Sequence, residues 1–471
     1  MISFNNQLYH FMKYLLLLII SIPFHLACMA QHQFTISEVP IFNSANDSIA
    51  YANLQAMLQR TVTEQPEFKK LNADSLRNEM RIITKRGMIG KKKTYHATSS
   101  FFPYDSLAFT NKPTQIKMLS LTDVKLKRLP KEVFKCYNLE ALELVNTTVR
   151  GINKLTKLPK LRSIYILNNK QLKPIRLSKT KSLKTFGIRG ENPTNCPGSF
   201  RKLRNLEKLD LADTKLTTFP TGIKRNKRLK EILLGNNNVT LDDGHMETSK
   251  SVEKLELQRN KIKALPASIG GFPNLKKLNL NFNLIEKVSD EIAVLSKLEQ
   301  LSFYDNKLTS FPDGIYNLTG LKELDLYYNQ IERINDRIAN LKTLEVLYLS
   351  NNKLINLPEA IGSMHNLKEV FVSNNRLSEL PGSLNKLHDL KVIRINNNYL
   401  TQLPIDLLKL NNLENIDISN NSITELPMEV LSLLKLKLIV IMNNPWDIQS
   451  KERLPSFIEQ LRNKEVVIHA D

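Results

Sequence analysis

The cluster of side chains in this sequence that could bind a metal ion or transfer protons comprises Asp242, Asp243, His245 and Glu247. Carboxylates and imidazole are common ligands of divalent metals and common general acids and bases. The four residues lie in the stretch LDDGHMETSK, whose polar composition is typical of a surface loop. We interpret the cluster as a polar loop and predict no metal site.

No other combination of residues matches a catalytic motif. The remaining histidines are scattered, and Gly87, Gly90 and Lys91 have a glycine spacing two residues shorter than that of a phosphate-binding loop. The part of the chain outside the repeats described below is too short for an ordinary catalytic domain. We therefore predict a protein that is not an enzyme and needs no cofactor.

A second group of side chains suggests binding rather than catalysis. Tyr304 precedes Tyr327 by 23 residues, and Tyr348 precedes Phe371 by the same interval. Aromatic side chains and arginine dominate the energetics of protein interfaces. The group, called the aromatic patch here, comprises six aromatic residues that we expect to be exposed and two polar partners at their edge: Phe282, Tyr304, Asp325, Tyr327, Tyr328, Tyr348, Phe371 and Arg394.

The same interval recurs over most of the chain. Fifteen units of 22 or 23 residues follow one another from Ile116, and their shared frame is LxxLxLxxNxLxxLPxxIxxLxx. Self-similarity at this period is typical of a stacked-repeat architecture. The clearest copies are residues 344–366 (LEVLYLSNNKLINLPEAIGSMHN), 367–389 (LKEVFVSNNRLSELPGSLNKLHD) and 413–435 (LENIDISNNSITELPMEVLSLLK).

The frame predicts one short parallel strand and one returning arm in each unit. In the LxxLxL segment of residues 344–349, we expect the three leucines to point inward, while Glu345, Val346 and Tyr348 stay outside. Asn352 can satisfy backbone groups where the chain leaves the strand, and Pro358 suits the returning arm because it has no N–H group. One unit buries too few apolar side chains to offset its ordering entropy, so the units must stack.

This frame resembles that of the leucine-rich repeat family, in particular its 23-residue LxxLP type, over residues 116–443. The resemblance implies an α/β solenoid shaped like a horseshoe, with a parallel concave sheet of about fifteen short strands. Family members mostly bind protein or peptide ligands on the concave face, where the aromatic patch would lie. The implied function is a non-enzymatic scaffold that binds a protein or peptide. An aromatic patch that only stiffens the sheet remains the alternative.

Charged residues alternate at the second position of successive units. Adjacent parallel strands would place these residues side by side, so we predict a column of structural ion pairs. The column in the second half of the chain consists of Glu253, Lys276, Glu299, Lys322, Glu345 and Lys368.

The net charge of +21 is unevenly distributed. Residues 116–250 contain 29 basic and 12 acidic residues, whereas residues 251–471 contain 26 and 27. Much of the excess lies off the predicted strands, in segments such as 125–135, 201–204 and 224–228. Such a surface attracts polyanions. Two interpretations remain open: a solvated face, or a cell-envelope adhesin or structural protein that binds acidic glycan or lipid headgroups. Nucleic acid is the less favoured partner, because the N-terminal residues described next predict an exported protein.

Residues 12–30 (MKYLLLLIISIPFHLACMA) have the features of a secretory signal, with Met1 or Met12 as the start. The apolar run after Lys13 is too short to span a bilayer, so we expect no transmembrane span in the mature chain. Cleavage after Ala30 and lipidation of Cys28, as in a bacterial lipoprotein, remain alternatives. Both predict an exported protein that is secreted, periplasmic or held at the cell surface, and the lipoprotein alternative implies a bacterial source.

The residues that flank the repeats are predicted to cap the solenoid. Residues 31–115 lack the frame and suggest a helical N-terminal cap, and residues 444–471 suggest a C-terminal cap. Cys136 and Cys196 occupy core positions three units apart, too far for a disulfide, so we interpret both as small core side chains.

Overall fold

The computed structural model describes residues 102–103, 112–125, 127–149, 151–152, 154–168, 175–177, 179–190 and 200–470. The predicted signal at 1–30 with Cys28, most of the predicted cap at 31–115, and Cys196 lie outside these residues. The whole aromatic patch lies within them.

Seventeen short strands of the described residues form one parallel sheet, in which each strand pairs with the next one along the chain. Fifteen of them begin at the third position of a predicted unit. The strands are β1 Phe102–Pro103, β2 Met118–Thr122, β3 Ala141–Val145, β4 Ser163–Leu167, β5 Thr185–Arg189, β6 Lys208–Asp210, β7 Glu231–Leu233, β8 Lys254–Glu256, β9 Lys277–Asn279, β10 Gln300–Ser302, β11 Glu323–Asp325, β12 Val346–Tyr348, β13 Glu369–Phe371, β14 Val392–Arg394, β15 Asn415–Asp417, β16 Leu438–Val440 and β17 Val467–His469. The predicted horseshoe solenoid with a parallel sheet of short strands is confirmed.

The apolar frame positions build the core. Leu324 pairs in register with Leu301 on one side and Leu347 on the other, and all three side chains are at most 1% exposed. The same arrangement repeats along the sheet, so one hydrophobic core extends from Ile116 to Val466. Each unit therefore buries its leucines against the neighbouring units, as a solenoid requires.

The returning arms form short 3-10 helices on the side of the core away from the sheet. Pro358 adopts an extended conformation directly before the helix Glu359–Ser363, as predicted for a residue without an N–H group. The equivalent helices of the regular units are Ala267–Gly271, Asp290–Val294, Asp313–Asn317, Asp336–Asn340, Glu359–Ser363, Gly382–Lys386, Ile405–Lys409 and Met428–Ser432. Shorter ones lie at Pro113–Gln115, Glu132–Lys135, Leu155–Lys157 and Ile223–Arg225, and two-residue strand pairs join Gly151–Ile152 to Arg176–Leu177 and Ala264–Leu265 to Lys287–Val288.

A ladder of buried asparagines joins successive units. Asn352 Nδ2 donates to the carbonyl of Leu349 and to that of Leu326 in the preceding unit, both at 2.9 Å. Its Oδ1 accepts the N–H of Ile331 at 3.0 Å. These bonds satisfy backbone groups that leave the strand ladder, which confirms the predicted role. The asparagines in this arrangement are Asn237, Asn260, Asn283, Asn306, Asn329, Asn352, Asn375, Asn398, Asn421 and Asn444.

One α-helix follows the last repeat and covers its core. This helix, α1, spans Ile448–Asn463, and the chain then returns as β17 beside β16. Trp446, Phe457 and Leu461 are buried against the final unit, so water is excluded from the end of the core. No helix of the described residues has the length and apolar character needed to cross a bilayer.

Cys136 lies in the core of the first unit as a fully buried free thiol. Burial raises the pKa of this thiol above its usual value, because a thiolate would be poorly solvated there. The side chain behaves as a small hydrophobic residue, as predicted.

Candidate functional site

The residues of the aromatic patch lie in two rows along the concave sheet. Asp325, Tyr348, Phe371 and Arg394 are the last residues of β11 to β14 and pair in register as direct neighbours. The second row lies two or three residues beyond the strand ends and contains Phe282, Tyr304, Tyr327 and Tyr328. The 23-residue repeat places both rows on one face of the sheet, because each unit returns to the same register.

The second row forms a continuous cluster of rings. The Tyr304 ring stacks on Tyr327 with centroids 5.5 Å apart and meets the edge of Phe282 at 4.9 Å. The Tyr328 ring packs edge-on against Tyr304 at 5.6 Å and Tyr327 at 4.7 Å. Arg259, which was not predicted as a site residue, lies with its guanidinium 4.3 Å from the centroid of Phe282. The four rings and Arg259 therefore form one contact network, called the tyrosine cluster below.

The first row contains a separate stacked pair. The rings of Tyr348 and Phe371 are 4.8 Å apart and nearly parallel, at an interplanar angle of 15°. The Arg394 guanidinium lies 5.6 Å from the centroid of Phe371, within the range of a cation–π contact. The described contacts thus divide the predicted patch into the tyrosine cluster and this pair.

Two of the six aromatic side chains are less accessible than predicted. Tyr304 is only 3% exposed and Phe371 only 8%. Neither side chain is part of the continuous hydrophobic core. Their low exposure comes from neighbouring rings of the patch, because Tyr327 stacks on Tyr304 and Tyr348 stacks on Phe371. The expectation of six exposed aromatics was therefore wrong for these two. Tyr328, at 42% exposure, presents the most accessible ring of the patch.

Asp325 was predicted as an edge partner but is a buried carboxyl group between the two clusters. It is 6% exposed, and it accepts the N–H of Tyr327 at 3.0 Å and the hydroxyl of Ser302 at 2.8 Å. Burial raises the pKa of Asp325 to about 6, although the two hydrogen bonds act in the opposite direction. Burial also raises the pKa of the Tyr304 and Tyr327 phenols, so both remain neutral at physiological pH.

The tyrosine cluster also contains unusual backbone geometry. The eighth residue of each unit turns the chain off the strand, and in fourteen units it adopts a left-handed conformation with φ between 50° and 58°. Asn or Asp occupies eleven of these positions, as expected for the residues that tolerate this region best. The three exceptions among these fourteen are Arg259, Phe282 and Tyr328. All three belong to the tyrosine cluster, and no sequence pattern predicted their conformation.

The charged column at the second position forms the predicted ion pairs. Lys276 lies 2.9 Å from Glu253, and the Lys322–Glu299 and Lys368–Glu345 pairs are 3.0 and 2.7 Å apart. The hydrogen bond from Lys276 is the main reason that the pKa of Glu253 is lowered. Opposite charges are paired between neighbouring units along this column, which supports its structural interpretation.

The carboxylate–histidine cluster forms a turn, as predicted. Asp242 Oδ1 lies 2.7 Å from His245 Nδ1 and accepts the N–H of Gly244 at 2.9 Å. Glu247 instead accepts the N–H of Lys224 at 3.3 Å. Within the described ranges, no group of three or more His, Cys, Asp or Glu side chains is arranged to hold a metal ion.

Sequence models of the leucine-rich repeat match several parts of the chain. One matches residues 273–331, 296–354 and 319–377, a two-copy model matches 250–292, and a single-repeat model matches 412–434. The protein flightless-1 homolog of Caenorhabditis elegans is 29% identical over 116 residues, which make up 24% of this chain. That match spans 7% of the relative, so it concerns a small part of that protein.

Solved structures with the same repeat fold cover more of the chain. A leucine-rich repeat protein of Leptospira interrogans is 25% identical, with a TM-score of 0.51, and the match covers 78% of this chain and 99% of that one. The Toll–Spätzle complex of Drosophila is 24% identical, with a TM-score of 0.61, and the match covers 70% of this chain and 47% of the Toll chain. The likeness to the Drosophila structure concerns the fold alone.

Proposed function

We propose, taking this chain to be a leucine-rich repeat protein, that it binds a protein or peptide partner through the aromatic patch of its concave sheet. Leucine-rich repeat proteins are typically binding scaffolds without catalytic activity, in which surface residues determine the ligand. The predicted signal at residues 12–30 would place this binding outside the cytoplasm. The alternatives of free secretion and lipid attachment at Cys28 are both compatible with it.

The observation that carries the proposal is the left-handed backbone at Phe282 and Tyr328. A bulky side chain in this region costs about 1–2 kcal/mol, and eleven equivalent positions avoid most of that cost with Asn or Asp. Neither ring contributes to the hydrophobic core, so core packing does not offset the cost. Such conformations cluster at functional sites in proteins. We therefore attribute the two rings to ligand binding.

The exposed parts of the patch suit a partner with apolar and polar groups in alternation. The Tyr328 ring is exposed, and the Tyr327 and Tyr348 rings are partly so. Arg394 is exposed beside Phe371 and can donate to carbonyl or carboxylate groups of a peptide. Rigid aromatic rings lose little conformational entropy on binding, because the stacked contacts already fix their orientation.

The Drosophila Toll–Spätzle complex offers an analogy, since the Toll chain in that structure is bound to a protein partner. The analogy rests on the fold and identifies no partner for this chain.

The test is capture of a partner by the immobilised protein, followed by binding measurements with that purified partner. We expect the double variant Tyr327→Ala with Tyr348→Ala to bind at least about a hundredfold more weakly, as for loss of two interface hot spots. The matched control is Tyr399→Ala, which removes a tyrosine that is 62% exposed and lies outside the patch. Equal binding by the double variant and the wild type would contradict the proposal.

A second candidate function is that of an envelope adhesin or structural protein that binds acidic glycan or lipid headgroups. The observation in its favour is the exposure of basic side chains on the arms of the first half of the solenoid. This candidate function predicts that binding of the protein to acidic glycan or lipid weakens steeply as the salt concentration rises, since exposed charges are screened within about 10 Å at 0.1 M. Binding through the aromatic patch is expected to depend much less on salt.

A further inference from the structure

Basic residues lie side by side on the arms of four consecutive units, those beginning at residues 139, 161, 183 and 206. Each unit contributes at least two of them, at positions 19–23 of the repeat, and all are exposed. This set, called the basic ladder here, comprises Lys157, Lys160, Lys179, Lys181, Arg201, Lys202, Arg204, Lys224, Arg225, Lys227 and Arg228.

Hydrogen bonds between units show that the arms of the units beginning at residues 161, 183 and 206 stack, since the N–H of Phe200 also donates to the carbonyl of Thr221 at 3.0 Å. The Asn205 side-chain amide donates to the carbonyl of Lys181 in the preceding unit at 2.8 Å. Lys202 Nζ donates to the carbonyl of Leu177, also in the preceding unit, at 2.8 Å. Neighbouring strands are about 4.8 Å apart, so the four units extend over about 14 Å at the sheet, and farther where the arms diverge.

The ladder carries charge of one sign. No acidic residue occurs in the four arm segments, residues 154–160, 176–182, 198–205 and 221–228. The arm of the next unit carries Glu247, which accepts the N–H of Lys224, so the run of basic residues ends there. The second-position column of the same chain pairs its lysines with glutamates, as in Lys184–Glu207 at 2.8 Å. One-sided charge is therefore a local property of the arms and not a general feature of the surface.

The surroundings of the ladder discriminate between classes of polyanion. Within the four units of the ladder, no large apolar or aromatic side chain of the described residues is exposed, and the exposed Tyr137 lies on the arm of the preceding unit. A membrane-binding surface usually adds apolar side chains that enter the bilayer, and single-stranded nucleic acid is usually held by exposed aromatic rings. A linear, hydrated polyanion needs neither, because its charges repeat along its length.

We propose that the basic ladder binds a sulfated or carboxylated polysaccharide that runs across the four units. This inference rests on the second candidate function and narrows its ligand to a glycan. It is independent of the aromatic patch, whose residues lie on the sheet while the ladder lies on the arms.

The experiment measures binding of the full chain to heparin, a sulfated polysaccharide, at 0.1 M and 0.5 M salt. The ladder variant carries Lys181→Glu, Arg204→Glu and Lys227→Glu, one change in each of three consecutive units. The control variant carries Lys342→Glu, Lys386→Glu and Lys451→Glu, which produce the same net charge from exposed lysines elsewhere. We expect the ladder variant to bind at least about tenfold more weakly at 0.1 M salt and the control to bind like the wild type.

Equal binding by all three proteins, or equal loss in both variants, would overturn the proposal, because only the total charge would then matter. Preferential binding to vesicles of anionic phospholipid would overturn the glycan inference and leave the second candidate function in its lipid form. Preferential binding to duplex DNA would overturn both. A variant with Lys181→Gln, Arg204→Gln and Lys227→Gln provides the same comparison if charge reversal impairs folding. None of these outcomes alters capture by the aromatic patch.

Discussion

The ring of Tyr328 packs against that of Tyr327 at 4.7 Å, while its own backbone adopts the left-handed conformation with φ of 52°. In the next unit the equivalent pair is Ser350 and Asn351, which shows that the turn itself needs neither ring. Asparagine is therefore the side chain that suits this turn best, whereas position 328 carries a tyrosine.

The first prediction separates the backbone cost at Tyr328 from its ring contacts. Tyr328→Ala and Tyr328→Asn both remove the ring, but Asn tolerates the left-handed backbone and Ala does not. We expect the Asn variant to have a free energy of unfolding about 1 kcal/mol higher than the Ala variant, measured by denaturant unfolding. Both variants should lose partner capture.

The control for this comparison is Tyr348, which lies on a strand. There Ala and Asn should differ in the opposite sense or not at all, because Asn is disfavoured in strands. A Tyr328→Asn variant no more stable than Tyr328→Ala would remove the strain argument for the patch.

The second prediction concerns Asp325 and pH. The pKa of this carboxyl is raised by burial to about 6 from an ordinary value of 3.8, so the folded state holds the proton more tightly than the unfolded state. Its favourable contribution to stability is complete below about pH 4 and is lost as the pH rises through about 6. The difference between the two pKa values corresponds to about 3 kcal/mol.

Asp325→Asn should remove this dependence, because the amide can accept the Tyr327 N–H and cannot ionise. We expect the variant to exceed the wild type in free energy of unfolding by up to about 3 kcal/mol at about pH 7.5 and to match it near pH 4. Urea unfolding at the two pH values measures the difference. An advantage that is the same at both pH values would show that ionisation of Asp325 is not its cause.

The third prediction tests the asparagine ladder. Asn352→Ala would leave the carbonyls of Leu349 and Leu326 and the N–H of Ile331 without their side-chain partner in the core. Each buried group left unsatisfied costs about 1–3 kcal/mol, so we expect a loss of about 3–5 kcal/mol in the free energy of unfolding.

The matched control is Asn366→Ala. Asn366 also donates to a carbonyl of the preceding unit, that of Lys342 at 2.7 Å, but this bond is exposed and water can replace it. A similar loss in both variants would contradict the importance assigned to burial of the ladder.

Much of the fold could be predicted because the repeat converts sequence spacing into spatial neighbourhood. Once residues 23 apart lie on adjacent strands, Lys368 must adjoin Glu345, and Phe371 must adjoin Tyr348. The inward leucines and the ladder of Asn352 follow from the same register. These features depend on local periodicity alone.

The sequence by itself thus determined the solenoid, its register and the face on which the aromatic residues gather. Only the tertiary structure decided that Tyr304 and Phe371 are covered, that Asp325 is buried, and that Tyr328 sits on a left-handed turn. The reason is that solvent exposure, pKa and backbone strain depend on where the side chains of neighbouring units point. A repeat frame specifies which residues become neighbours, but not how their side chains share the space between them.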